Sequence, residues 1–163
     1  MKDMRTAGIA AALSLVVASA ACGYSATAGT SRLPPGAERV HVPPLANRTA
    51  EAEAGALVAS ALREELARRG TAGGEGAAAR IEGAVTRVSA APVTTQNGTW
   101  RLVFEVQARL VIDGKDAATA SVRREVDYLG EVDAIATEGR RRLAIRKAAN
   151  EAARDIVERF EAP

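Results

Sequence analysis

Residues 97–129 read NGTWRLVFEVQARLVIDGKDAATASVRREVDYL, and their alternation decides the fold. Trp100, Leu102, Phe104, Val106, Ala108, Leu110 and Ile112 fall on one face of a strand, against Arg101, Glu105, Gln107, Arg109 and Asp113 on the other. That period of two is the pattern of a half-buried strand. Asp113-Gly114-Lys115 turns the chain back, and Ala118, Ala120, Val122, Val126 and Tyr128 supply the matching face of an antiparallel partner. Asn97-Gly98 is the strongest hairpin signal, since both residues tolerate the positive φ angles of a type I′ turn. A further strand is therefore expected before it. Arg80 to Ser89 fits: Ile81, Gly83 and Val85 point one way, Arg80, Glu82, Ala84 and Thr86 the other, and Pro92 limits how far the pairing runs.

Working outward, Glu38 to Val42 predicts a short strand with Val40 and Val42 on one face, stopped by Pro43-Pro44. Asn47 to Thr49, just ahead of Glu51 and Glu53, predicts a helix start, because side-chain oxygens accept orphan amide hydrogens and acids favour the positive end of the dipole. Ala54, Leu57, Val58, Ala61, Leu62 and Leu66 form its apolar stripe, Arg63, Glu64, Arg68 and Arg69 face water, and Gly70 ends it. Thr71 to Ala79 has no period and reads as a flexible loop. Asp133 is positioned to cap a long helix running to about Phe160, with Ile145, Ala148, Ala149, Ala152, Ala153, Ile156 and Phe160 inward. The expected fold class is α+β: a two-layer sandwich in the order β-α-β-β-β-α, with two amphipathic helices packed on one face of a four-stranded sheet.

The N-terminus reads as an export signal over residues 1–21: Lys2 and Arg5 form a basic start, Ile9 to Val17 an apolar segment, and Ala18 to Ala21 a small-residue cleavage zone. The apolar segment is shorter than the ~20 residues that span a bilayer. Cys22 is the only cysteine and directly follows the signal, so it has no intramolecular disulfide partner and is the expected lipidation site. Ser19-Ala20-Ala21 departs from the aliphatic residue usual three positions before a lipidated cysteine; the alternative is ordinary cleavage after Ala20 or Ala21, leaving a free Cys22. Residues 22–36, rich in Gly, Ser, Thr, Ala and Pro, read as a flexible tether, and 37–163 as one domain. Aromatics make up only 3% of a chain that is 47% apolar, so the core must be built of Val, Leu, Ile and Ala. The pI of about 9.0 reflects a net charge of only +2, not a nucleic-acid-binding patch.

Four segments together resemble a known family. They are Cys22-Gly23-Tyr24, then Val40-His41-Val42-Pro43-Pro44-Leu45-Ala46-Asn47-Arg48-Thr49, Ala61-Leu62-Arg63-Glu64-Glu65-Leu66, and Ala153-Arg154-Asp155-Ile156-Val157-Glu158-Arg159. In this order they are similar to LptE, the lipopolysaccharide-assembly lipoproteins, which pair a Cys-Gly-Tyr start with a Val-Pro-x-x-x-Asn-x-Thr element and a C-terminal helix after a strand ending in Tyr, here Tyr128. Ser19 and the Gly/Ala-rich loop of Thr71 to Ala79 depart from that pattern. The resemblance implies an outer-membrane lipoprotein on the periplasmic face, lipid-anchored through Cys22, with Gly23 permitting sorting onward. It also implies a large β-barrel partner, LptD, whose lumen the domain partly plugs, and lipopolysaccharide as a second partner. No cofactor, nucleic acid or covalent chemistry is implied.

The residues themselves offer no constellation for catalysis: His41 is the only histidine, Cys22 lies on the tether, and no Gly-x-Ser-x-Gly, P-loop or His-Glu-x-x-His pattern occurs. The carboxylates read mostly as helical partners of Arg and Lys. His41 reads as an edge residue with no second ligand. Arg140, Arg141, Arg142, Arg146 and Lys147 are candidates for contact with lipopolysaccharide phosphates or the barrel, since guanidinium forks match phosphate oxygens; a solvated helix face is the plainer reading. The rival functions are another lipoprotein adaptor, one that activates a peptidoglycan synthase or pilots a secretin, and a periplasmic hydrolase.

Overall fold

A computed structural model describes residues 32–93, 98–130 and 132–161; the signal segment, Cys22 and Asn97 lie outside the described residues. The elements are β1 (Val40–His41), β2 (Ala46–Asn47), α1 (Ala54–Arg68), β3 (Ala79–Pro92), β4 (Thr99–Ile112), β5 (Lys115–Leu129) and α2 (Ala134–Glu161). Two helices cover one face of a mixed sheet, as the alternation demanded: Leu102, Phe104, Val106, Ala108 and Leu110 of β4 are all buried. β4 pairs antiparallel with both neighbours, so Phe104 stands between Val88 of β3 and Arg124 of β5. Asp113 and Gly114 both have positive φ, 49° and 77°, and close the β4–β5 hairpin as a two-residue type I′ turn between Ile112 and Lys115.

The first strand differs from the expected single segment. Proline has no N–H to give a ladder, so Pro43-Pro44 interrupts the edge, which resumes beyond them. β1 and β2 both lie parallel to β3, with Val40 opposite Ala79 and Ala46 opposite Ala84. The sheet therefore has five strands rather than four, in the order β1-β3-β4-β5 with β2 also on β3. A parallel edge needs a crossover, and α1 supplies it between β2 and β3.

The start of α1 is corrected too. Its N-cap is Glu53, with no side-chain cap, and Asn47 and Thr49 instead knit the preceding turn. The Asn47 amide donates to the Glu51 carbonyl at 2.6 Å, and the Glu51 amide donates to the Thr49 hydroxyl at 3.2 Å. The displacement lets α1 cross the sheet edge at Gly55, where a Cβ would stand 2.4 Å from the Leu45 carbonyl oxygen. Asp133 does cap α2, its carboxylate accepting the Ile135 amide at 2.9 Å. The inward residues expected of α2, from Ile145 to Phe160, are all buried. Leu57 of α1 is only partly so.

Two further departures concern register and the glycine-rich loop. Thr86 is an extra residue in β3, between the Val85–Val106 and Arg87–Glu105 pairs, and beyond it Val88 and Ala90 take up the inward phase. The loop after α1 is held, not loose. The Val40 amide donates to the Thr71 carbonyl and the Gly73 amide to the Val40 carbonyl, each at 2.8 Å, so Ala72 bridges to β1. β5 forms the other edge of the sheet, where the Arg159 guanidinium donates to the Ser121 carbonyl at 2.6 Å.

Candidate interaction surfaces

A helix advances about 100° per residue, so five basic residues within eight positions cannot share one face. α2 separates them accordingly. Arg140 and Lys147 border a groove between α2 and the end of β5, together with Val126, Tyr128, Leu129 and Leu143. Arg142 and Arg146 border another on the α1 side, with Glu51, Glu53 and Leu57. Arg141 lies between them, ion-paired with Glu51 and Glu138, and its side chain is only 30% exposed. Burial disfavours its charge, but the Glu51 hydrogen bond and the charges of Glu51 and Glu138 together outweigh this and hold the guanidinium's pKa above its ordinary value. Arg142 shares Glu138 at 3.0 Å, and Lys147 approaches Glu151 at 3.9 Å. The five side chains thus form two flanks around a neutralised centre.

The groove on the β5 side combines aliphatic walls with two cations. Leu129 and Leu143 are exposed, and Trp100 stacks on Tyr128 with ring centroids 6.5 Å apart. Burial pushes the Tyr128 hydroxyl's pKa up, so the ring remains neutral over the physiological range.

The sheet face turned away from the helices carries a lattice of ion pairs across β3, β4 and β5. Arg109 reaches Glu82 at 2.6 Å and Asp116 at 3.5 Å. Arg123 reaches Glu125 at 2.7 Å and Glu105 at 3.2 Å, and Arg101 reaches Asp127 at 2.8 Å. Many of the carboxylates read as helical partners are therefore cross-strand partners. The Arg101 hydrogen bonds hold the Asp127 carboxyl below its ordinary range, and those from Arg109 do the same for Glu82.

Three polar groups on the helix side fit the sequence reading less well. Arg69, expected in water, is 20% exposed and tied to Glu65 at 2.7 Å and to Glu161. Glu65 is 5% exposed. Burial pushes its carboxyl up, but Arg68 and Arg69 prevail and hold it below the usual range. Arg124 stands in the inward phase of β5, between Val122 and Val126, and pairs with Asp155 of α2 while its Nε is buried without a partner. Its signal was present in the sequence: an arginine in step with a buried apolar series marks a ligand to the covering helix. His41 lies on edge strand β1, half-buried, and the described residues hold no group of three or more His, Cys, Asp or Glu side chains that could hold a metal.

No helix among the described residues is long and apolar enough to cross a membrane. No curated protein matches the chain. Solved structures do. A lipoprotein from Caulobacter crescentus is 21% identical, with a TM-score of 0.59 over 77% of this chain and 90% of that one. The PelC dodecamer subunit from Paraburkholderia phytofirmans is 17% identical, with a TM-score of 0.55 over 77% and 89%. Rare lipoprotein B from Shewanella oneidensis is 19% identical, with a TM-score of 0.52 over 72% and 91%. At such identities they share the fold. The family model LptE, lipopolysaccharide-assembly, matches residues 37–160, the whole folded unit from the first buried alanine to the last turn of α2, and the chain belongs to the LptE family of lipopolysaccharide-assembly lipoproteins.

Proposed function

We propose that the chain is an outer-membrane lipoprotein, acylated at Cys22 and tethered through residues 23–36, whose domain from 37 onward seats in and partly plugs an LptD-type β-barrel and assists lipopolysaccharide assembly on the periplasmic face. The observation that carries this reading is the family match across residues 37–160. Two physical features support it. The outer sheet face is a polar, charge-balanced surface, suited to the water-lined wall of a barrel lumen. The α2 groove, with Arg140 and Lys147 beside Leu129 and Leu143, combines cations and apolar area that complement the phosphates and acyl chains of a phosphorylated glycolipid. Arg142 and Arg146, on the other flank, and the paired Arg141 are then the barrel-side contacts. The role so described is one of binding, with no chemical step and no cofactor.

Affinity purification of the chain from detergent-solubilised outer membranes tests the proposal: a large β-barrel should co-purify. Recovery of a peptidoglycan synthase or a secretin in its place would transfer the chain to another adaptor role. Mass spectrometry of the mature N-terminus tests the anchor separately. A triacylated Cys22 is expected; an unmodified residue 21 or 22 at the terminus rules the anchor out.

A further inference from the structure

All the large apolar side chains that stand exposed among the described residues gather at one end of the domain: Val93, Leu129, Val132, Ile135 and Leu143. Hydrogen bonds and strand register fix their proximity. The Val93 amide donates to the Thr99 carbonyl at 2.8 Å, Thr99 pairs with Leu129, and the Gly130 amide donates to the Gly98 carbonyl at 2.6 Å. Leu143 shares its groove with Thr99 and Leu129, while Val132 shares one with Gly98, Trp100 and Gly130. Val132 and Ile135 are 109% and 83% exposed, so neither contributes to the core. The chain enters the domain at the opposite end, where Gly36 packs on Ile112 at the far end of β4, about 44 Å away for a strand of this length.

Single exposed aliphatics need no explanation, but a cluster of five confined to one tip does. Three features specify what covers it. The tip carries the chain's only tryptophan, stacked on one of its two tyrosines, and these are the residue types that favour a headgroup boundary. The segment of α2 that rises from the tip, residues 134–147, holds five basic side chains and one acid, Glu138. Val132 and Ile135 lie at or just before the start of that segment and the cations farther along it, with Leu143 among them, the order that a protein shows toward acyl chains and anionic headgroups. We infer that this end is a lipid-facing tip, in which Leu129, Val132, Ile135 and Leu143 enter the boundary of an anionic bilayer and Arg140 and Lys147 meet its phosphates. The inference does not rest on the barrel partnership, and it gives the domain a second membrane contact beyond its tether.

Trp100 is a built-in reporter, because an added Cβ on Gly130 would stand 2.8 Å from its indole nitrogen, which puts the ring directly under the tip. The full chain is reconstituted into phosphatidylethanolamine vesicles, with or without phosphatidylglycerol, whose acyl chains carry bromine at a shallow depth. Trp100 emission should shift to the blue and be quenched in the anionic vesicles only. The Val132→Asp/Ile135→Asp variant, altered only at exposed positions, should lose that quenching while keeping the wild-type circular dichroism and its association with the vesicles. Arg140→Gln/Lys147→Gln should weaken the preference for phosphatidylglycerol. Unquenched Trp100 in both vesicle types overturns the inference, as does equal quenching in both. A blue shift that grows with protein concentration in the absence of lipid also overturns it, assigning the tip to a second copy of this chain. Barrel co-purification is unaffected by any of these outcomes.

Discussion

Replacing Phe104 by alanine tests the sheet register and the core together. Phe104 is fully buried and is one of only two phenylalanines in the chain, the other being Phe160 at the end of α2. Burying such a ring is worth about 1.5–3 kcal/mol in transfer alone, and the unfilled cavity adds to this, for a total of roughly 3–5 kcal/mol. The upper half of that range applies here, because the α2 residues sharing the core include Ala148, Ala149 and Ala152, whose side chains have no rotamers with which to fill a void. The expected loss is a large part of the ~5–15 kcal/mol that holds a domain folded. For a domain of this size it lowers the melting temperature by roughly 10–20 °C. Val103, one residue away, faces the charged side of the sheet and is only half-buried, so Val103→Ala should cost about 1 kcal/mol. Thermal denaturation followed by circular dichroism, checked by urea titration, measures both. A Phe104→Ala protein that melts within a degree or two of wild type, or a Val103→Ala protein that loses more, would falsify the register.

Gly55→Ala should reverse the usual sign of a glycine-to-alanine change in a helix, which ordinarily gains about 1 kcal/mol; the Leu45 carbonyl leaves no room for the methyl, and urea titration should show a loss. Glu65 is held ionised by Arg68 and Arg69, with its folded pKa below the unfolded value of 4.5, so its contribution is present above about pH 4.5 and drains away as pH falls through the folded pKa. Glu65→Gln should therefore lower stability at neutral pH and flatten the acid limb of a stability–pH curve, and an unchanged acid limb contradicts the assignment. Arg141→Ala, which strands Glu51, should cost about 1 kcal/mol, while Arg142→Ala should stay within about 0.5 kcal/mol of wild type by thermal melting. Asp133→Ala removes the cap of α2 and should cost about 1 kcal/mol, visible as earlier exchange of the Ile135 amide in hydrogen-exchange experiments.

The central hairpin was legible because alternation from Trp100 to Leu110 of β4 admits a single inward face, and Asp113-Gly114 supplies the φ signs its turn requires. The bulge at Thr86 was not, since an extra residue leaves no mark in composition and only the partner strand reveals the changed count. Asn47 and Thr49 were misplaced for a chemical reason: the side-chain oxygens that cap helices also close turns, and here they close one. The Thr71 to Ala79 segment reads as loose because its restraints reach its backbone carbonyls and amides, from Val40, Asp113 and the Arg39 side chain, and so leave no mark in its own side chains. In the surfaces, the basic run of α2 was plain in the sequence, but its division into two flanks follows from helical geometry. The outer ion-pair lattice depends on cross-strand register, and the apolar tip on the meeting of three chain segments distant in sequence. Arg124, by contrast, is legible from the phase of β5 alone.

The two rims of the sheet are defended differently. Where β1 and β2 form the rim, the prolines leave an approaching strand no more than two consecutive ladder residues at a time, too few to template a fibril. The β5 rim runs for fifteen residues, and the Arg159 side chain occupies one of its carbonyls near the middle. Arg159 comes from the last turns of α2, so that guard is absent until the helix has docked. A newly made chain therefore carries a long unguarded rim for as long as its C-terminus is unfolded. Truncation of α2 before residue 159 should leave the chain prone to stacking through β5, even where the remaining core holds.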